Sequence, residues 1–234
     1  MTDASTNGTY EAHTLVVGGG ISGLTSALEL AEVGKEVLLV EKDAVMGGRV
    51  ARMNQYFPKL CPPSCGLEIN FKRLKSSNRI KYFTLAEVRK VTGGPGDYTV
   101  EVKLSPRYVN NSCTACGDCE KVCEIEIDND YNYGMDKRKA IFLPSDTAFP
   151  HLYQVAPEFA GDAKMKACVE ACKYEAIDLD MKEETITLKV ASIIWASGWQ
   201  PYDAAKIENL GFGRVPNVIT NVMMERLASV DGPT

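Results

Sequence analysis

Eight cysteines carry the most specific chemistry in this sequence, and they fall into three groups. Cys113, Cys116, Cys119 and Cys123 stand in "CTACGDCEKVC" at the spacing C-x2-C-x2-C-x3-C, while Cys61 with Cys65 and Cys168 with Cys172 each form a C-x3-C. In the dense run, three closely spaced thiolates wrap one corner of a cubane. The fourth points to a different cluster, and the ligand missing from the first cluster comes from a second motif. "ACVEAC" is the candidate partner, because Cys168 and Cys172 have the spacing of the third and fourth cysteines of such a motif. Counting back, its first two positions are Asp162 and Met165. Cys113, Cys116, Cys119 and Cys172 therefore make one complete [4Fe-4S] site, and Cys123 and Cys168 are left as two ligands for a second. Other readings stay open: a zinc site, although zinc frameworks usually pair a C-x2-C with a distant C-x2-C; a second cluster completed by Asp162 or an outside ligand; or a leftover pair of inert buried thiols. Glu124 stands where a proline usually follows the fourth cysteine, a departure on the weaker site.

Cys61 and Cys65, in "FPKLCPPSCGLEINF", flank Pro62 and Pro63. Two prolines forbid a regular helix between the thiols, so a rigid turn is expected. Three roles compete: a dithiol/disulfide facing a flavin, two ligands of a further cluster completed elsewhere, and a structural turn.

The elements that must position these groups begin with "HTLVVGGGISGLTSALELAEVGKEVLLVEKD". A short apolar run at Leu15 to Val17, then glycines, then apolar residues at helical spacing, then Val37 to Val40 read as strand, tight turn, helix, strand. Gly18, Gly20 and Gly23 supply G-x-G-x-x-G at the strand-to-helix junction, and Glu41 ends the second strand. Gly18 permits the turn, Gly20 lets the backbone approach a pyrophosphate, Gly23 lets helix and sheet pack, and Glu41 accepts hydrogen bonds from a ribose. The helix N-terminus favours the phosphate charge. Lys42 and the turn Gly47, Gly48 and Arg49 extend the cofactor site, with a plain Gly-Gly turn as the alternative; Val88 completes the set on this side. "RIKYFTLAEVRKVTGGPGDYTVEVKL" is expected to form an antiparallel hairpin turning at Gly93 to Gly96. After the cysteine-rich block, Ser192 to Trp195 is expected as a short strand ending at Ala196, Ser197 and Gly198. "GFGRVP" lacks the third glycine of a second fingerprint, so a full NAD(P)H-binding domain is missing.

The predicted organisation is an α/β, Rossmann-like FAD-binding domain over residues 10–110 and 181–234, incomplete at its C-terminal end. A ferredoxin-like cluster domain is inserted at residues 111–180. A formal charge of −5, a pI near 5.2 and no basic stripe set nucleic acid aside as a partner. "MTDASTNGTYEAHTL" has no basic region followed by an apolar core, and no run reaches the ~18 to 20 apolar residues of a membrane span. A cytoplasmic chain is expected, in which cysteines serve metals or redox chemistry rather than structural disulfides. His13 and His151 belong to no catalytic constellation, and no catalytic side chain is expected.

Several blocks carry a resemblance: "VVGGGISGLTSALELA", "EKDAVMGGRVARMNQYFPKLCPPSCGLEINF", "CTACGDCEKVC", "MDKRKAIFLPSDTAFP" and "IIWASGWQPYD…PNVITNVMMERLASVDGPT". Together they resemble the A-type subunits of heterodisulfide reductases, nearest to the corresponding subunit of the quinone-interacting membrane-bound oxidoreductases. The resemblance implies FAD in a thioredoxin-reductase-like fold with an inserted ferredoxin-like domain. It also implies work within a multi-subunit complex of sulfur metabolism that reaches the membrane only through partner subunits, with adenylylsulfate reductase as a possible partner. Carried over, Gly18, Gly20, Gly23, Glu41, Gly48 and Arg49 match the FAD site of that family, and Cys113, Cys116, Cys119 and Cys172 its inserted cluster. Members of the family continue past "ERLASVDGPT", so the resemblance implies a fragment or a split subunit whose pocket lacks one wall. The methanogen-type members have C-x2-C where this chain has Cys61-x3-Cys65, so no role transfers to that pair.

The expected function is an FAD and [4Fe-4S] electron-transfer subunit of an oxidoreductase, with one cluster expected and a second possible. Two alternatives are a flavin-dependent disulfide reductase using Cys61 and Cys65, and an electron-carrier or docking module with a vestigial flavin site.

Overall fold

The structure, a computed structural model, describes residues 8–234. Of the N-terminal segment read as carrying no leader, residues 1–7 lie outside the described residues. Alternation within short apolar strands sets the frame. In β1 (Thr9–Val17), Leu15 faces one side of the sheet and Val16 the other. In β2 (Val37–Val40), Val37 and Leu39 share the face of Val16, and Leu38 and Val40 that of Leu15. A strand buried on both faces reads as a continuous apolar run, as "VLLV" does.

Helix α1 (Ile21–Glu32) connects β1 to β2, and α2 (Pro63–Ser76) connects β2 to β3 (Ile80–Phe83), giving two parallel crossovers. The hairpin of β4 (Ala86–Gly94) and β5 (Asp97–Leu104) follows, and β10 (Glu184–Trp195) returns much later to lie between β1 and β5. The six-stranded order is β3-β2-β1-β10-β5-β4, with β10 parallel to β1 and antiparallel to β5. Leu24, Leu28, Leu67, Phe71 and Leu74 pack α1 and α2 on one face. On the other face lie Phe83, Val100, Val102, Ile186 and Leu188.

Three expectations change here. The hairpin begins at Ala86, not Arg79: Ile80–Phe83 is a separate strand parallel to β2, because the helix before it returns the chain to the same end of the sheet. Ser192 to Trp195 is the last third of a twelve-residue strand. The prolines do not forbid a helix between the thiols: α2 starts at Pro63 and takes in Cys65. Proline lacks only an N–H that the first helical position leaves unpaired anyway, so Pro63 is tolerated there.

Between β5 and β10 the cysteine-rich block builds a third core of its own, from Val109, Cys119, Cys123, Ile141, Tyr153, Met165, Cys168 and Ile177. It contains α3 (Asp118–Val122), the pair β6 (Glu126–Asp128) and β7 (Lys137–Lys139), the pair β8 (Ile141–Phe142) and β9 (Gln154–Val155), and α4 (Met165–Ala171). Its boundaries are less sharp than 111–180. Val109 already pairs with Ile177, and Phe149 reaches out to stack on Phe71, ring centroids 4.9 Å apart, within the first core. Helix α5 (Asn221–Ala228), expected with the outer domain, meets both parts: Glu225 Oε2 accepts from Asn54 N of the outer part at 2.8 Å, and its other contacts are with the block. Its fully buried Arg226 donates from Nε to Asn132 Oδ1 at 2.8 Å and lies over the Tyr131 ring. Among the described residues no helix is long and apolar enough to cross a membrane.

Candidate functional site

A cleft of about 730 Å³ opens at the C-terminal ends of β1, β2 and β10. This is where the strand order turns back on itself, the crevice in which open α/β sheets bind ligands, and its size suits a small-molecule or cofactor site. The glycines make it. Gly18, at φ 111°, donates to Val40 O at 2.8 Å, and a Cβ there would lie 2.3 Å from Ala196 O. At Gly23 a Cβ would lie 1.8 Å from Gly18 O, so the helix seats on the turn only because side chains are missing at both positions. Gly20 opens α1 with nothing within 4 Å of where its Cβ would be, leaving the helix N-terminus free for an approaching ligand.

Every residue predicted for the cofactor except Gly23 lines this cleft: Gly18, Gly20, Glu41, Lys42, Gly47, Gly48, Arg49, Val88, Ala196, Ser197 and Gly198. Gly23 sits behind it, packing helix on strand. The Gly47-Gly48 turn is held against the glycine loop. Gly47 N donates to Gly19 O at 2.9 Å, and a Cβ on Gly48 would come within 3.1 Å of Gly20 Cα. Glu41 is buried; its Oε2 accepts from Gly19 N at 2.6 Å and its Oε1 from Asp43 N at 2.9 Å. Burial raises its carboxyl above the usual range, and those two backbone bonds work against the rise. Arg49 donates from Nε to Trp199 O at 2.5 Å, with its guanidinium 4.8 Å from the Trp199 ring centre, closing a bridge across the cleft. Trp195 and Trp199 were not foreseen as lining residues; their position directly beside "ASG" was the available signal.

In the inserted block, Cys119 lies close enough to Cys113, Cys172 and Cys116 for all three to act on it electrostatically. Cys113 and Cys172, 59 residues apart in the chain (172 − 113), both pack on the buried cluster that holds Cys119. Burial, with those neighbouring thiols, pushes the Cys119 thiol up to about 12. Backbone N–H groups point at two of the sulfurs: Ala115 N at 3.4 Å from Cys113 Sγ and Ala176 N at 3.3 Å from Cys172 Sγ. Ala115 and Gly117 take the left-handed conformations that turn the loop around the thiols. Tyr153 packs against the same group, donating to Glu120 Oε2 at 2.6 Å, with burial raising its hydroxyl pKa. Among the described residues no three His, Cys, Asp or Glu side chains converge on a single metal ion. A cubane asks for something else, four thiolates each meeting a different corner.

Cys123 and Cys168 are buried in the same cluster as Cys119 and act on one another, and Cys119 acts on Cys168 as well. Cys123 Sγ donates to Ile125 O at 3.6 Å. Met165 is fully buried beside them, whereas Asp162 is exposed and accepts from Lys164 N at 2.8 Å. Cys61 and Cys65 lie outside the cleft lining, half-buried Cys61 just before α2 and exposed Cys65 in its first turn, with exposed Phe57, Leu60 and Ile69 nearby in the chain.

Residues 16–78 match the family described as NAD(P)-binding Rossmann-like domain. The chain is 36% identical over 233 residues to the A-type subunit of the ferredoxin/F(420)H(2)-dependent CoB-CoM heterodisulfide reductase of Methanosarcina acetivorans, covering 99% of this chain and 29% of that protein. To the first A-type iron-sulfur subunit of the CoB–CoM heterodisulfide reductase of Methanopyrus kandleri it is 39% identical, covering 96% of this chain and 34% of that protein. The chain thus spans about a third of the length of the curated relatives it matches. Among solved structures, T. acidophilum thioredoxin reductase aligns with a TM-score of 0.34 at 23% identity, over 39% of this chain and 31% of that one.

Proposed function

We propose that this chain, a homologue of part of the A-type subunit of heterodisulfide reductases, holds FAD in the glycine-lined cleft and one [4Fe-4S] cluster on Cys113, Cys116, Cys119 and Cys172, relaying electrons within an oxidoreductase. The observation that carries this reading is the packing of Cys113 and Cys172 on the buried cluster of Cys119, in a chain whose glycine-lined cleft leaves a cofactor-sized space. FAD exchanges electrons singly or in pairs and a [4Fe-4S] cluster one at a time, so together they couple pair chemistry to a one-electron path.

The chain's own residues bind and tune. Gly18 and Gly20 let backbone approach the pyrophosphate at the head of α1, and Glu41 accepts from the ribose. Arg49, already at the cleft mouth, supplies a cation to the phosphates. In the insert, read as ferredoxin-like, the N–H groups of Ala115 and Ala176 donate to ligand sulfurs and so stabilise added negative charge. No side-chain acid, base or nucleophile is required. Cys123 and Cys168 stay thiols in the core, and Met165 fills the space a second cluster would need.

The setting favoured by the relatives is a complex with other heterodisulfide reductase-type subunits. The quinone-interacting complexes, a link to adenylylsulfate reductase and sulfur metabolism, and membrane contact only through partner subunits complete the reading, and rest on the sequence resemblance. The position of Cys61 and Cys65 outside the cleft favours this relay over a self-contained disulfide reductase. Anaerobic assay of iron, acid-labile sulfide and flavin on one purified sample tests it. About four irons and one FAD per chain, the content of a single cubane plus flavin, are expected. Flavin without iron would favour the disulfide reductase, and iron without flavin the carrier module.

A further inference from the structure

The wall of the cleft that carries Gly47, Gly48 and Arg49 is held from the inserted block at both of its ends. At the near end, Met46 N donates to Phe149 O at 2.7 Å, beside the Phe149 ring that stacks on Phe71. At the far end lies the short 3-10 turn Gly48–Arg52. There Tyr131 Oη donates to Ala51 O at 2.8 Å, and Arg52 Nη1 donates to Asp130 O at 3.3 Å. Tyr131 is itself fixed. Its side chain is buried, and its ring centre lies 4.9 Å from the guanidinium carbon of Arg52 and 4.9 Å from that of Arg226. Arg226 is held in turn: fully buried, it donates to Asn132 Oδ1 at 2.8 Å and to Asp231 O at 3.0 Å. Neither Tyr131 nor Arg226 lines the cleft.

The turn has little of its own to define it. None of its residues is buried, and Gly47 and Gly48 take φ of 108° and 56°, conformations that glycine adopts readily but loses much freedom in holding. A ligand that needs the turn in one place bears the cost of ordering it, unless the protein has already done so. Resting on the FAD assignment above, we infer that Tyr131 is a positioning residue for the dinucleotide: from the inserted block it pins the far end of residues 47–52, and so sets the affinity of a cleft it does not line. Coupling of this kind is reciprocal. The bound dinucleotide therefore also steadies the Asp130–Asn132 turn of the insert.

The test is a titration of the flavin-free full chain with FAD, followed by flavin fluorescence. Tyr131→Phe keeps the ring and removes the bond to Ala51; the dissociation constant for FAD should rise about threefold to tenfold, the worth of one hydrogen bond of ordinary net strength. Tyr153→Phe controls for a merely structural effect. It removes a bond of the same kind, to Glu120 at 2.6 Å, elsewhere in the block, and should leave the constant within about twofold of the wild type. In the wild type, FAD should slow amide hydrogen exchange at residues 130–132 as well as at 47–52. An unchanged constant in Tyr131→Phe, an equal rise in Tyr153→Phe, or exchange at 130–132 indifferent to FAD would each overturn the inference while leaving the cofactor assignment in place. If Tyr131→Phe does not fold, the exchange measurement on the wild type decides alone. A wild type that takes up no FAD would instead sink the cofactor assignment and this inference with it, so the two failures are distinguishable.

Discussion

Cys119 and Cys168 occupy equivalent places in the two halves of the cysteine-rich block: each is the third position of a C-x2-C-x2-C-x3-C frame, lies on a short helix and is buried. Around Cys119 the earlier positions are Cys113 and Cys116, and Cys172 arrives from the other half. Around Cys168 they are Asp162, turned outward to accept from Lys164, and Met165, buried in the core. Burial and a high thiol pKa are common to both halves. The difference is in the company each thiol keeps: neighbouring thiols that accept from loop backbone on one side, a buried methionine and an outward-turned aspartate on the other. A thiol's role is therefore read from the positions preceding it and not from its own environment.

Cutting that comparison at its sharpest point, Cys172→Ala should cost most of the iron while Cys168→Ala leaves it near wild type. Iron assays on both variants decide it, and iron unaffected in Cys172→Ala would overturn the ligand set. Next in size, Met165→Ala should destabilise the chain by about 2–5 kcal/mol through the lost transfer energy and the cavity left behind. Chemical denaturation measures this, with iron per folded chain unchanged. A smaller effect appears with pH. Burial and Cys123 push the Cys168 thiol from an ordinary value of 9.0 up to about 12. The folded chain holds this proton more tightly than the unfolded one. Its contribution is therefore intact below pH ~9 and drains away as pH rises towards ~12. Denaturation midpoints should fall more steeply above pH ~9 in wild type than in Cys168→Ala. Smallest, Arg226→Met leaves Asn132 without its buried donor and should cost about 1–3 kcal/mol in the same assay, again without loss of iron.

How legible this was depends on whether a feature lives in spacing or in tertiary pairing. The cofactor residues from Gly18 to Gly48 are local: one turn, one helix start and one strand end place them, so the sequence already implied their gathering. That Cys113 and Cys172 pack on one cluster was legible because a motif fixes the offset, even across the intervening chain. Tyr131 carried no such signal, since its partners Ala51 and Arg52 are brought to it only by the packing of the block against the outer part. Ile80–Phe83 misled for a related reason: a four-residue strand looks the same whether its neighbour runs parallel or antiparallel. Pro63 misled because a proline that ends one helix is welcome as the first residue of another.

The placement of β10 has a consequence for how the molecule assembles. It is inserted between β1 and β5, so the sheet exists as two unjoined pieces until the chain beyond the cysteine block has been made. Thr14 Oγ1 meets Ser192 Oγ across 178 residues, a contact of the long sequence separation that slows folding. Ala196, Ser197 and Gly198 reach the cleft on the end of that same strand. The cleft is thus completed only once β10 is in place. It takes shape only after the whole cysteine-rich block has been made, so on the proposed function the order of cofactor loading follows the topology.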